Sequence, residues 1–202
     1  GLEIVRLLST ETTPLSALAD QTQDFALNLR TIYLGAANSE LIARHQRFIA
    51  PMNMSDVPDL FISKKLPIHA ALIQVSPPDD FGWMSLGISV DVTLAAAMSA
   101  DLVIAQVNPQ MPRVLGQSFI HVNDVDIMVE HEEPLLSVES RPTSEIGSRI
   151  GQMIARLVED GSTIQIGLDA ASQATLHALG EKNDLGVHSQ FLTDDIMHLY
   201  SQ

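Results

Sequence analysis

Two runs, "HAALIQV" (69–75) and "DLVIAQVN" (101–108), do most to limit what this chain can fold into. Each has the length of a strand, is dominated by apolar side chains, and is bounded by polar or turn-forming residues. Between them lies "SVDVTLAAAMSA" (89–100), whose small residues suit a helix packed closely on a sheet. Strand, helix and strand in that order favour two parallel strands joined by a crossover. The first run is apolar on both faces apart from its ends, so it is expected to be a buried strand.

The remainder of the chain extends the same alternation. "LEIVRLLS" and "PLSALADQTQDFALNL", near the N-terminus, space their apolar residues by three and four, which predicts two helices. "TIYLG" follows as a short strand and "RFIAPMNM" as another apolar run. "SDVPDLFISKK" predicts a helix capped by Ser55 or Asp56, with Pro58 in its first turn. "SPPDDFGWMSLG" is a turn-rich loop ending in a strand, and "PQMPRVLGQS" is a loop of the kind that lines clefts. "FIHVNDVDIMVE" reads as two strands joined at Asn123 and Asp124. Residues 132 to 144, "EEPLLSVESRPTS", mix proline, serine and charge without periodicity and mark the best domain boundary. Beyond it stand an amphipathic helix, "SEIGSRIGQMIARLVED", a strand, "STIQIGL", and a helix, "AASQATLHALG". "NDLGVHSQFLTDDIMHL" then runs from a strand into a final helix. The expected fold class is α/β, with open, mostly parallel sheets flanked by helices.

Composition removes several functions. Hydrophobic residues make up 46% of 202, enough to build a core and too many for disorder. No apolar run approaches the roughly 20 residues needed to span a bilayer, and no basic-then-apolar leader opens the sequence. The absence of cysteine excludes disulfides, zinc–thiolate sites and a cysteine nucleophile, and it suits a cytoplasmic location. Eleven Lys+Arg against 25 Asp+Glu give a formal net charge of −14, a field that repels nucleic acid and anionic lipid.

Two stretches carry candidate chemistry. In "EDGSTIQIGLDAASQATLHALG" a strand turns at Gly167 into a helix, and ligands of α/β proteins sit at the carboxyl ends of strands. Amides at such a helix start suit a phosphate, and the glycine permits close backbone approach, although Asp169 in the turn repels an anion. His188, Ser189 and Gln190 occupy the next strand-to-helix hinge. Adjacent His and Ser on a strand point to opposite faces, so they form no nucleophile–base pair with each other. Taken alone, they read as a polar strand end capping the following helix. The histidines in "FIHVNDVD" and "VEHEEP" stand near carboxylates without a metal-ligand spacing, so no metal site is assigned. Trp83 and the eight methionines are expected in the core or beneath loops.

From about residue 65 to 200 the sequence resembles the acetyl-CoA hydrolase/transferase family, which includes acetate and 4-hydroxybutyrate CoA-transferases. The phrases that carry the likeness are "IQVSPPD", "GWMSLG", "SVD", "NPQMPR", "LGQSFIHV", a D-x-D pair, "LVEDGSTIQIG" and "DLGVHS", in one order. The resemblance implies two related α/β domains with coenzyme A as substrate. A glutamate attacks the acyl-CoA, passes through an acyl anhydride and becomes a glutamyl-CoA thioester; a second carboxylic acid then accepts the CoA. Hydrolases of the family let water finish the reaction. In this family the glutamate follows a "GxHS" phrase, and here "GVHS" is followed by Gln190, an amide that cannot form the anhydride. His188 is the nearest candidate base for activating water.

The turn that contacts CoA in the family resembles "GIGAIP"; here it reads Gly167, Leu168, Asp169, Ala170, Ala171, Ser172. Gly167 and Gln190 stand 23 positions apart, as the family spacing requires. The resemblance further implies that residues 1–140 form the first domain without its opening unit. It makes residues 141–202 the start of the second, with further domains beyond Gln202. Its partners are a short acyl-CoA and a carboxylic acid, with neither nucleic acid nor membrane, and a homodimer fits the reading. The alternative is a catalytically impaired acyl-CoA-binding or regulatory domain.

Overall fold

A computed structural model describes residues 2–6, 27–32, 46–48, 52–137 and 143–201. The chain divides into two compact units, Gly1–Ser137 and Val138–Gln202, and the division falls within the non-periodic stretch 132–144. Strands alternate with helices, and most strand pairs are parallel, as the α/β class requires.

Among the described residues the first unit holds three sheets. Strands β1 (Leu2–Arg6), β2 (Leu27–Thr31) and β3 (Gln46–Phe48) form one parallel sheet in that order. This corrects two sequence expectations. "LEIVRLLS" begins as a strand rather than a helix, and the end of "PLSALADQTQDFALNL" pairs beside it. A run this short fits either period, and the β-branched Ile4 and Val5 suit the strand. The remainder of the second predicted helix, and "TIYLG" beyond Ile32, lie outside the described residues.

Helix α1 (Val57–Ile62) starts after Asp56 with Pro58 in its first turn, as predicted, and it buries Val57 and Phe61. The main sheet runs β4 (Ala70–Val75), β6 (Leu102–Val107) and β8 (Ile127–Glu130), all parallel, with Ala70 opposite Leu102 and Ile104 opposite Ile127. Helix α2 (Thr93–Ser99) is the crossover between β4 and β6. It begins later than the small-residue run because the Asp91 carboxylate accepts the Thr93 N–H at 3.1 Å. Strands β5 (Trp83–Ser85) and β7 (Phe119–His121) form a separate antiparallel pair.

A hydrophobic core joins β4, β6, α2 and the β5–β7 pair, and a second cluster holds Val57 and Phe61 of α1 against Val92. Ala71, Ile73 and Val75 of β4, Val103, Ala105 and Val107 of β6, Ala97 of α2, and Met84, Leu86 and Ile120 bury their side chains together. The alternation is strict, so the expectation that β4 is buried on both faces fails: Leu72 is 78% exposed. Methionine placement also departs from expectation. Met84 and Met111 are buried, but Met52, Met98, Met128, Met153 and Met197 are exposed, as is much of Trp83.

In the second unit, helix α3 (Glu145–Ala155) packs along α4 (Ala170–Ala178). Ser144 caps α3, its hydroxyl accepting the Gly147 N–H at 3.0 Å. The helices approach closely at Gly151, where a Cβ would stand 2.5 Å from the Ala174 carbonyl oxygen. Strands β9 (Thr163–Ile164) and β10 (Gly186–Val187) pair in parallel, and α5 (Asp194–Tyr200) follows. Both strands are shorter than the sequence suggests.

Candidate active site

The β9–β10 pair brings together the two stretches singled out in the sequence. Parallel pairing places the carboxyl ends of both strands at the same edge, so the turns at Gly167 and Gln190 leave side by side. Gly186 N–H donates to the Ser162 carbonyl and His188 N–H to the Ile164 carbonyl, each at 2.9 Å. Beyond that point a side chain takes over. The Ser189 hydroxyl donates to the Ile166 carbonyl at 2.8 Å and accepts the Ile166 N–H at a longer 3.4 Å. Ile166 directly precedes Gly167, and Ser189 directly precedes Gln190. Gln190 and His188 are both exposed. The reading of "HSQ" as a mere strand-end cap missed this tie, because alternation along a strand says nothing about a hydroxyl replacing a backbone partner.

Asp169 proves to be the cap of α4. Its Oδ1 accepts the Ala171 and Ser172 N–H groups, both at 3.0 Å, and its Oδ2 accepts the Ser172 hydroxyl at 2.6 Å. The Ser172 hydroxyl first, and the amides with it, hold this carboxyl below the ordinary aspartate range. Two of the amides that a phosphate would use are therefore occupied by the chain's own carboxylate. Gly167 leaves room for it, since a Cβ there would meet Asp169 Oδ2 at 3.1 Å and Ser172 Oγ at 3.3 Å. Leu168, Ala170 and Ala171 complete an otherwise uncharged turn.

A groove of the second unit lies elsewhere. About 610 Å³ in volume, it runs between α3 and α4 and is lined by Ser148, Gln152, Arg156, His177 and Lys182 among others. None of the sequence-predicted site residues borders it. Arg156, His177 and Lys182 lie in or just past the last turns of α3 and α4, where the helix dipole favours cations. His177 Nε2 also lies 3.0 Å from Asp195 Oδ1.

The first unit has its own polar cluster at the carboxyl ends of β4 and β6. Buried Asn108 donates to the Gln74 side chain at 3.2 Å and to the Glu133 carbonyl at 2.8 Å, and its Oδ1 accepts the Gln110 N–H. Gln106 Nε2 donates to Glu133 Oε1 at 2.8 Å. With every polar atom of Asn108 engaged, the cluster fastens residues 131–133 to the sheet end. Nearby, Arg113 pairs with Asp79 at 2.6 Å, donates to the Trp83 carbonyl at 3.0 Å and lies 4.7 Å from the Phe119 ring centroid. Asp126, from the D-x-D pair, accepts the Val103 N–H at 2.8 Å and so holds the start of β6.

The histidines near carboxylates have local roles. His121 Nε2 lies 2.9 Å from the Phe81 carbonyl and its Nδ1 accepts the Asn123 N–H. Among the described residues no group of three or more His, Asp or Glu could hold a metal ion. Among those residues, too, no helix is long and apolar enough to cross a membrane.

Comparison with known proteins gives a consistent result. Residues 45–139 match the acetyl-CoA hydrolase/transferase N-terminal domain. A 4-hydroxybutyrate coenzyme A transferase of Clostridium kluyveri is 43% identical over 168 residues, which are 83% of this chain and 39% of that protein. A succinyl-CoA:acetate/propanoyl-CoA:succinate CoA transferase of Fasciola hepatica is 38% identical over 84% of this chain and 36% of its own length. The chain thus spans about two fifths of the relatives it matches. Among solved structures, 4-hydroxybutyrate CoA-transferase from Porphyromonas gingivalis aligns with all of this chain and 53% of its own, with a TM-score of 0.77 and 32% identity. RipA from Yersinia pestis aligns with 98% of this chain and 48% of its own, with a TM-score of 0.88 and 27% identity.

Proposed function

The chain belongs to the acetyl-CoA hydrolase/transferase family, and from that premise we propose that it supplies part of a CoA-transferase or acyl-CoA hydrolase site that takes a short acyl-CoA, with Gln190 where the family places its attacking carboxylate. The observation that carries this reading is the Ile166–Ser189 tie, which sets the Gly167 turn beside position 190. In this reading residues 1–140 form the first CoA-transferase domain and 141–202 open the second, with further domains completing the enzyme. The Gly167–Ala171 turn faces the CoA through its backbone and Leu168. Its phosphates are held elsewhere, because Asp169 occupies the amides. A homodimer in the cytoplasm is the expected setting.

Chemistry at position 190 decides the activity. A carboxylate oxygen there would attack the thioester carbonyl, form an acyl anhydride and release the CoA thiolate. The thiolate would then attack the carboxyl carbon of the enzyme side chain, giving an enzyme thioester and freeing the acid. Gln190 has no such oxygen nucleophile, so double displacement stops before its first bond. Hydrolysis remains open through His188, which would take a proton from water as the water attacks the thioester. A second reading, acyl-CoA binding without turnover, is favoured by the same Gln190 and by the carboxylate of Asp169 at the α4 amides.

Gln190→Glu is the deciding variant. It is expected to create acetyl-CoA:acid exchange where the unaltered protein shows none, with an enzyme thioester trapped on the new side chain. Calorimetric titration with CoA separates the alternatives: micromolar binding, about −8 kcal/mol, without turnover in either protein supports the binding module. No heat and no exchange in either protein would exclude both.

A further inference from the structure

We infer that Ser189 is a positioning residue for position 190: its hydroxyl ends the β9–β10 ladder in place of the backbone and fixes residue 190 beside the Gly167 turn. The ladder shows why. Donors of β10 alternate, Gly186 N–H to Ser162 and His188 N–H to Ile164, so the next rung of a parallel pair would use Gln190 N–H and the Ile166 carbonyl. On the return side Ile166 N–H would seek the His188 carbonyl. Ser189 Oγ takes both Ile166 groups instead, as donor at 2.8 Å and as acceptor at 3.4 Å. Residue 190 is thereby released from the ladder without loosening the strand ends, because the half-buried backbone of Ile166 keeps its partners.

Such release matters at this position. Were Gln190 N–H the next rung, residue 190 would be held as strand, its direction set by the pleat. With the ladder closed one residue earlier by a side chain, residue 190 is exposed and leads directly into the loop before α5. The short Ser189 side chain spans to Ile166, and Ile166 is covalently joined to Gly167. Few rotatable bonds therefore separate residue 190 from the turn proposed to face CoA. A reacting group held this way loses little orientation freedom before reaction, which is where positioning contributes to rate.

The inference rests on the proposed role of position 190, and its test separates the two. Ser189→Ala and Ser189→Thr are made in the intact protein, each alone and with Gln190→Glu. In the ligand-free protein, Ser189→Ala is expected to speed amide hydrogen exchange at Ile166 by about tenfold, and Ser189→Thr, which keeps the hydroxyl, to leave it unchanged. In the Gln190→Glu background, Ser189→Ala is expected to lower kcat with acetyl-CoA and a short acid by about 10- to 100-fold. KM should stay within about twofold, and Ser189→Thr should restore kcat. Unchanged kcat in Ser189→Ala overturns the inference whatever exchange shows, and so does unchanged Ile166 exchange in a protein without turnover. If no variant binds CoA or turns over while Ile166 exchange responds to Ser189→Ala alone, the CoA reading falls and the positioning of residue 190 stands.

Discussion

Asp169 shows how one side chain can alter the offer a turn makes to a ligand. A glycine-bearing strand-to-helix turn ordinarily presents free amides to an anion. Here an internal carboxylate takes two of them and a neighbouring hydroxyl. Asp169→Ala removes the cap and is expected to destabilise the protein by about 1 kcal/mol, read from urea unfolding at neutral pH. The pH dependence follows from the direction of the shift. The folded carboxyl titrates below its ordinary value of 3.8, so its stabilisation is fully present above that value and is lost as pH falls through the folded pKa. Asp169→Asn keeps a good capping residue without the charge. Its stability is expected to match the unaltered protein more closely than Asp169→Ala does, with a shallower loss on acidification to about pH 3. An identical acid limb in the Asp and Asn proteins would show that this carboxylate contributes nothing through its ionisation.

At the scale of elements, the contact between α3 and α4 rests on a missing side chain. Gly151 faces the Ala174 backbone so closely that any Cβ must push the helices apart. Gly151→Val is therefore expected to cost about 1–3 kcal/mol and to lower the thermal midpoint, whereas Ile150→Ala, at a more exposed position one residue away, should stay within about 0.5 kcal/mol. The sequence made the pattern of α3 visible and left its geometry unseen, since apolar spacing reports which face seeks cover and not how near the neighbour comes. The same division holds elsewhere. Helix α2 and strand β6 were legible because small residues and a run that is apolar apart from Gln106 admit few alternatives. Strand β1 was not, because five residues satisfy either period and only pairing with a distant strand decides. The faces of β4 were misread for a related reason: an apolar composition cannot say that one face, with Leu72, stays exposed. In the candidate site, the motifs drew attention to Gly167 and Gln190, while the hydrogen bonds of Ser189 and Asp169 depend on approach between segments and emerged only from the fold.

The whole chain carries a formal charge of −14, and that field sets the sense in which salt acts on any anionic ligand. Coenzyme A brings phosphates, and the Gly167 turn offers them a carboxylate rather than free amides. Long-range repulsion then opposes binding, and added salt relieves it. Screening lengths shrink from about 10 Å at 0.1 M to about 3 Å at 1 M. CoA affinity is accordingly expected to strengthen a fewfold as sodium chloride rises from about 0.05 to about 0.5 M, measured by titration calorimetry. Most anion sites built on cations behave in the opposite way, so the sign of the slope is informative. Weakening with salt would mean that local cations outweigh the global field, and the groove lined by Arg156, His177 and Lys182 is then where the phosphates rest. Arg156→Gln with Lys182→Gln would abolish that slope if the groove holds them, and would leave it unchanged if the ligand is held through the turn at Gly167.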